Sequence, residues 1–438
     1  MAKRLTYFIL IGLVAGILLG WALNASISDG TEASQGRLTE IAGYFSIVTT
    51  LFLRLIKMII APLVFSTLVV GIAHMGDTAA LGRVGLRALL WFIGASLVSL
   101  TLGLILVNTL QPGAGLNFPL PPVDAASGVE KGGFDLKTFV THLVPASMVE
   151  AMATNEILQI VVFSLFVGVA MTAIGEKAAP LVRAFESLVA VMLQITDYVM
   201  RFAPIAVFAA VAGTVAERGP TILGTFGYFI GSFYIGLVIL WALLILAAFV
   251  IVGKRVKLLL RYIREPIILA FSTASSEAAY PRTLEALDRF GVPPRIASFV
   301  LPLGYSFNLD GSMMYMTFAV IFIAQAYGID LTLGQEITML LVLMITSKGV
   351  AGVPRASLVV IAGTLALFDI PEAGLLLLLG VDHFLDMGRS ATNVVGNAVA
   401  SVVVARSEVP LDPIEPAEIE PPKAPSHVPP PPPGTDRF

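Results

Sequence analysis

Cysteine is absent from the 438 residues. That excludes a disulfide framework, a thiolate metal site and a thiol redox pair. Charge is scarce as well: 13% of the residues are Asp, Glu, Lys or Arg, against roughly 25% in a soluble globular domain. The net charge of −3 lacks the basic surplus that nucleic-acid binding calls for. The four His are scattered, which leaves no His-rich metal motif. What is present is apolar. Hydrophobic residues make up 57% of the chain, and they run over most of its length, which implies an all-α polytopic membrane protein lying in a lipid bilayer.

Apolar segments long enough to span fall near 6–24, 43–72, 86–111, 154–175, 182–215, 223–252, 296–326 and 374–405. The first follows Lys3 and Arg4 as a signal peptide would, but its run has spanning length and more spans follow, so it is expected to be retained. Two further segments, near 258–290 and 334–368, read differently. Each has two apolar halves too short to cross alone, joined by a tip of small and polar residues with a Pro: STASSEAAYP in one, TSKGVAGVPRAS in the other. Paired interruptions of this kind point to a transporter's binding site. The expected topology is eight transmembrane helices plus two re-entrant helical hairpins.

With a cytoplasmic N-terminus, Arg83, Arg87, Lys177, Arg183, Lys254, Arg255, Lys257, Arg261 and Arg264 fall inside, whereas the outer loops keep Arg37, Lys131, Lys137 and Arg218. The positive-inside rule expects that asymmetry. The hairpins then enter from opposite faces, inverted relative to each other. From 409 onward the Pro-rich VPLDPIEPAEIEPPKAPSHVPPPPPGTDRF reads as a disordered cytoplasmic tail.

The last span carries FLDMGRSATNVVGN, residues 384–397. Asp382, Asp386, Arg389, Asn393 and Asn397 fall within roughly one quarter of a helix circumference at about 100° per residue. Charges inside a bilayer are costly, face the protein interior and mark function. The bland alternative is an Asp386–Arg389 pair acting as polar glue between helices. The preceding span carries LPLGYSFNLDGSMMYM, in which Pro302 and Gly304 loosen the helix. Carbonyls freed there, with Gly304 and Ser306 as candidates, would join Asn308 and Asp310 in an oxygen cage for a small hard cation, or in a protonatable spot. A Pro/Gly kink satisfied by its neighbours is the alternative.

In the first hairpin tip, Ser275 and Ser276 offer hydroxyls and backbone N–H groups suited to an anion. A planar Arg fork suits a carboxylate, and the nearby Asp386 suits an ammonium group. Together they ask for an acidic amino acid. No nucleophile–base pair or metal-ligand motif lies in these stripes, so neither an enzyme nor a cofactor is expected.

LFLRLIKMIIAPLVFSTLVVG, STASSE with Pro281, LPLGYSFNLDGS, TSKGVAGVP and DHFLDMGRSATNVVGN occur in that order. Through them the chain resembles the dicarboxylate/amino acid:cation symporter family, the glutamate transporter fold, up to about residue 406. The resemblance implies a homotrimer of elevator-type transporters. Residues 1–80 and 116–220 would form the scaffold (helices 1, 2, 4 and 5). Residues 81–115 (helix 3) and 221–408 (helices 6, 7 and 8 with both hairpins) would form the moving transport domain.

The same resemblance implies that Arg389 holds the substrate side-chain carboxylate and Asp386 its amino group. Asn393 and Ser312 would hold the main-chain carboxylate, helped by backbone at Ser275, Ser276, Gly352 and Val353. Ser390 keeps the hydroxyl of a family Thr. The C4-dicarboxylate branch shares YSFNLDG but lacks an Asp at the place of Asp386, which favours glutamate or aspartate over succinate or malate.

Two departures bear on the coupling ion. Asn397 stands where sodium-coupled members have an Asp ligand, and Ala95–Ser96 replaces a Thr–Ser pair. Losing a charge and a hydroxyl weakens hard-cation sites. Bacterial proton–glutamate/aspartate symporters share NVVGN and TSKG, so protons are expected as the coupling ion ahead of sodium. Asp310, Asp382 and Asp386 are the candidate carriers, because burial favours a protonated carboxyl. Arg355 is a further departure, from a small residue. The resemblance places the protein in a bacterial inner membrane with both termini cytoplasmic. An ohmic channel is the rival class.

Overall fold

The computed structural model describes residues 2–75, 78–114, 120–121, 136–219, 221–347, 356–379 and 381–408. Every regular element among them is a helix. The N-terminal half holds α1 (Ala2–Ile27), α2 (Glu32–Met75), α3 (Thr78–Leu110), α4 (Leu136–His142), α5 (Met148–Thr154), α6 (Ile157–Ile174), α7 (Ala179–Met200) and α8 (Ala203–Arg218). After the long α9 (Thr221–Val252) the pieces shorten: α10 (Val256–Thr273), α11 (Tyr280–Phe290), α12 (Pro294–Phe307) and α13 (Asp310–Ala326). The chain continues through α14 (Leu333–Thr346), α15 (Ala356–Leu367), α16 (Leu375–Leu379) and α17 (Asp382–Glu408).

Among the described residues six helical stretches are long and apolar enough to cross a membrane: Tyr7–Ile27, Glu32–Ala73, Gly82–Leu110, Ile157–Met200, Phe226–Thr273 and Pro294–Ala326. The polar stripe keeps α17 out of that group. Three of the expected spans are interrupted. The one read as continuous over 182–215 is two helices, because Pro204 sits in the first turn of α8 and lacks the N–H that would carry α7 onward. The span at 296–326 breaks at Asn308–Leu309, and the one at 374–405 breaks before Asp382.

α10 and α11 pack on each other. Between them Ala274 takes a left-handed φ of 48°. The Ser275 N–H returns to Ala270 O at 3.1 Å and the Ala274 N–H to Phe271 O at 3.4 Å, the paired bonds by which a helix end reverses its chain. α14 and α15 also pack on each other. The tip expected between them, with Gly352, Val353 and Arg355, lies outside the described residues.

Packing divides the chain into two groups. In the first, α1 and α2 lie on α8, and α2 also lies on α6 and α7. In the second, α3 lies on α13, while α9, α10, α12 and α13 surround α17. The groups meet where α12 lies on α2 and α6 and where α10 lies on α8.

The α1–α8 seam is a close one. A Cβ at Gly12, Gly16 or Gly20 would stand 2.5, 2.7 and 2.7 Å from the carbonyl oxygens of Pro204, Phe208 and Ala212. Small residues every fourth position let helix backbones touch where lipid gives no hydrophobic drive. In the second group α13 and α17 are buried almost all round. Both polar motifs therefore lie at its centre, out of reach of lipid.

Candidate functional site

The site begins with a contact between backbones. A Cβ on Gly311 would stand 2.6 Å from Arg389 O and 2.8 Å from its Cα, so glycine lets the first turn of α13 touch α17 there. That first turn has amide donors with no helical partner. Asn393 Oδ1 accepts from Gly311 N at 2.9 Å and from Ser312 N at 3.4 Å. Its Nδ2 donates to Ser312 Oγ at 3.3 Å. Asn393 and Ser312, paired in the sequence reading, are thus neighbours across two helices.

Arg389 is 2% exposed. Its Nη2 lies 3.2 Å from Asp382 Oδ1 and 3.0 Å from Asp386 Oδ1. The guanidinium carbon rests 4.0 Å from the centroid of the Tyr315 ring, a cation–π contact. The Tyr315 hydroxyl donates to Asp382 Oδ1 at 3.0 Å. Arg389 Nε and Nη1 are buried with no hydrogen-bond partner. Unpaired donors on a buried cation are costly, and an anion with two oxygens is the group that satisfies them. The two carboxylates differ in setting: the Asp382 side chain is 9% exposed and that of Asp386 36%. Asp386 is the one a small molecule can reach.

The second cluster forms at the break between α12 and α13. Asn308 and Asp310 are fully buried and Asn397 is 1% exposed. Asn308 Nδ2 donates to Asp310 Oδ2 at 3.1 Å and to Asn397 Oδ1 at 3.3 Å. Ser99 Oγ of α3 reaches Asp310 Oδ1 at 3.4 Å, and Ser96 Oγ reaches Phe307 O at 3.4 Å. Asn308 Oδ1 and Asn397 Nδ2 are buried and unpartnered. Gly396 gives Asp310 its space, since a Cβ there would overlap Oδ2, and Gly304 lies against the Asn397 amide. This cage has one carboxylate among amides and hydroxyls. Among the described residues no group of three or more His, Cys, Asp or Glu is placed to hold a metal ion.

The remaining candidates sit around these two clusters. Ser390 is buried on α17 and Ser306 on α12. Ser275 and Ser276 are half-buried at the tip between α10 and α11, both of which pack on α17. The Ser275 N–H is committed to Ala270 O and its Oγ accepts from Ala278 N at 3.3 Å, so its hydroxyl proton is what it has to offer a ligand.

Three participants went unnoticed in the sequence. Tyr315 and Ser99 are polar-tipped residues inside apolar helices, and only the crossing of helices brings Tyr315 to Asp382 and Arg389 and Ser99 to Asp310. The third, Trp241, donates from Nε1 to Thr392 Oγ1 at 2.8 Å and ties α9 to α17.

A family model for the sodium:dicarboxylate symporters matches residues 5–407. The chain is 42% identical over 417 residues to a proton/glutamate-aspartate symporter of Escherichia coli (strain K12), covering 93% of this chain and 94% of that protein. It is 38% identical over 417 residues to a proton/sodium-glutamate symport protein of Bacillus caldotenax, with 92% and 94% covered. It is also 39% identical over 415 residues to a C4-dicarboxylate transport protein of Laribacter hongkongensis (strain HLHK9), with 94% and 91% covered.

Proposed function

The chain belongs to the sodium:dicarboxylate symporter family, a family of membrane transporters and not of enzymes, and we propose that it imports L-aspartate and L-glutamate together with protons. The observation that carries the substrate is the setting of Arg389: two buried N–H donors without partners, beside a carboxylate that is within reach. The substrate side-chain carboxylate takes those donors. Asp386 leaves Nη2 for the substrate ammonium group, while Asp382 and Tyr315 stay on the guanidinium. Asn393, Ser312 and the first turn of α13 take the main-chain carboxylate, since helix N-termini favour anions.

Proton coupling is supported by the cage, where Asn397 gives an amide in place of a second charge and Ala95 gives no hydroxyl. The 42% identical relative named for protons supports it too. Asp310, Asp382 and Asp386 are the carboxyls that such a proton has within reach.

The second packing group is the moving body, carrying the site across the membrane against the first in an elevator motion. α10–α11 and α14–α15 are the re-entrant hairpins between eight spans, three copies assemble as a homotrimer in a bacterial inner membrane, and both termini are cytoplasmic. A second reading, C4-dicarboxylate symport, is favoured by the 39% identical relative of that name.

Uptake of labelled aspartate, glutamate and succinate into proteoliposomes, under separately imposed proton and sodium gradients, tests the substrate, the coupling ion and the carrier class. Accumulation of aspartate or glutamate driven by protons without sodium is expected. Strict sodium dependence would overturn the coupling, succinate preference the substrate, and ohmic flux without accumulation the carrier itself.

A further inference from the structure

Away from that site, five charged side chains gather where the first hairpin meets α7. Arg282 of α11 donates from Nη1 to Glu285 Oε2 at 2.8 Å and from Nη2 to Asp197 Oδ1 of α7 at 2.7 Å. Its Nε lies 3.7 Å from Glu265 Oε1 of α10. Arg289 Nη2 stands 3.5 Å from Glu285 Oε2. Four of the five belong to the α10–α11 hairpin, and their formal charges cancel: Glu265 and Glu285 against Arg282 and Arg289. Asp197 is the unbalanced fifth, and it comes from the other packing group.

We propose that the Asp197–Arg282 pair is a releasable latch between the two packing groups, biasing the resting balance between the two ends of the transport cycle and so the rate of translocation. The proposal rests on the reading above that the second group moves against the first. Removing one partner of a buried ion pair is ordinarily expensive, because the other is stranded. Here neither partner is stranded. When Asp197 leaves, Arg282 keeps Glu285 and Glu265, and Asp197 is 52% exposed, so water takes over its charge. A contact that can part on these terms supplies a small bias and not a lock. Exposed pairs shift an equilibrium by about two- to fivefold, enough to redistribute two nearly balanced states. A pair that mattered only for folding the hairpin would have no reason to reach across to α7.

The chain has no cysteine, so a single label pair is simple to place. Val149→Cys on α5 and Leu333→Cys on α14 are both exposed and lie on opposite groups. Pulsed EPR distances are measured on the full-length protein in phosphatidylethanolamine/phosphatidylglycerol nanodiscs. With the doubly labelled chain diluted into unlabelled copies, so that the pair within one protomer is read, two distance populations are expected, and Asp197→Asn should shift their ratio about two- to fivefold away from the arrangement that holds the pair. Asp197→Lys, which repels Arg282, should push the ratio further the same way, and Asp197→Glu should restore it. Aspartate uptake in the same variants should change in maximal rate, and KM should move by no more than the same roughly two- to fivefold. Two populations with the same ratio in wild type and Asp197→Asn would overturn the latch alone. A single distance that no substrate alters would sink the moving-group reading, and the latch with it.

Discussion

Arg389 is useful because so much of it is already spoken for. Asp382, Asp386 and the Tyr315 ring fix the plane of the guanidinium, and what remains free is Nε and Nη1. Lysine offers neither the plane nor the fork. Arg389→Lys is therefore expected to raise the KM for aspartate by about 100-fold or more, the scale of a lost desolvated charge pair. Asp386→Ser should abolish aspartate uptake while sparing succinate, as measured by competition in proteoliposomes; intact aspartate uptake would remove Asp386 from the amino-group role. These residues were legible in the sequence because ionised groups are expensive in a bilayer and declare themselves. Tyr315 and Ser99 were not, since a hydroxyl on an otherwise apolar helix costs little and is met everywhere. What relates them to Arg389 and Asp310 is the crossing of helices, and no spacing encodes that.

The elements were legible to different degrees. The hairpin α10–α11 announced itself by two short apolar halves around a polar tip, and the break at Asn308 by Pro302 and Gly304 before it. The division of 182–215 into α7 and α8 was hidden, because hydropathy continues through Pro204 while the hydrogen-bond ladder does not.

One local device is seen in the structure at the start of α14. Thr332 caps α14 by accepting from Gln335 N, and the Gln335 side chain reaches back to the Thr332 N–H at 2.9 Å. This capping box starts α14. Thr332→Ala should cost about 1 kcal/mol, seen as a lower thermal midpoint of the purified protein. No change would mean that packing of α14 on α3 and α13 holds the helix by itself.

At the scale of the molecule, chain order and packing order diverge. α3 follows α2 directly, yet it lies on α13, more than two hundred residues later. No local pattern in the sequence foretells that, and the resemblance to a known family was the one route to it. The glycine seam is the corresponding tie in the first group. In Gly16→Ala the new Cβ meets the Phe208 carbonyl oxygen and the Ala212 backbone nitrogen, which cannot rotate away as side chains do. Overpacking on this scale costs about 1–3 kcal/mol. A lower thermal midpoint, and a weaker engineered cross-link between α1 and α8, are the expected results; unchanged values would mean the helices part without penalty.

The seam also sets an order of events at the ribosome. α1 is made first, and the surface it needs, from Pro204 to Ala212, is not yet synthesised. At about 5–20 residues per second the intervening 190 or so residues take roughly 10–40 s. Through that interval the glycine face of α1 has no α8 to cover it, and α2 is the neighbour it has. α1 thus gains its α8 partner only after α2 to α7 have been made.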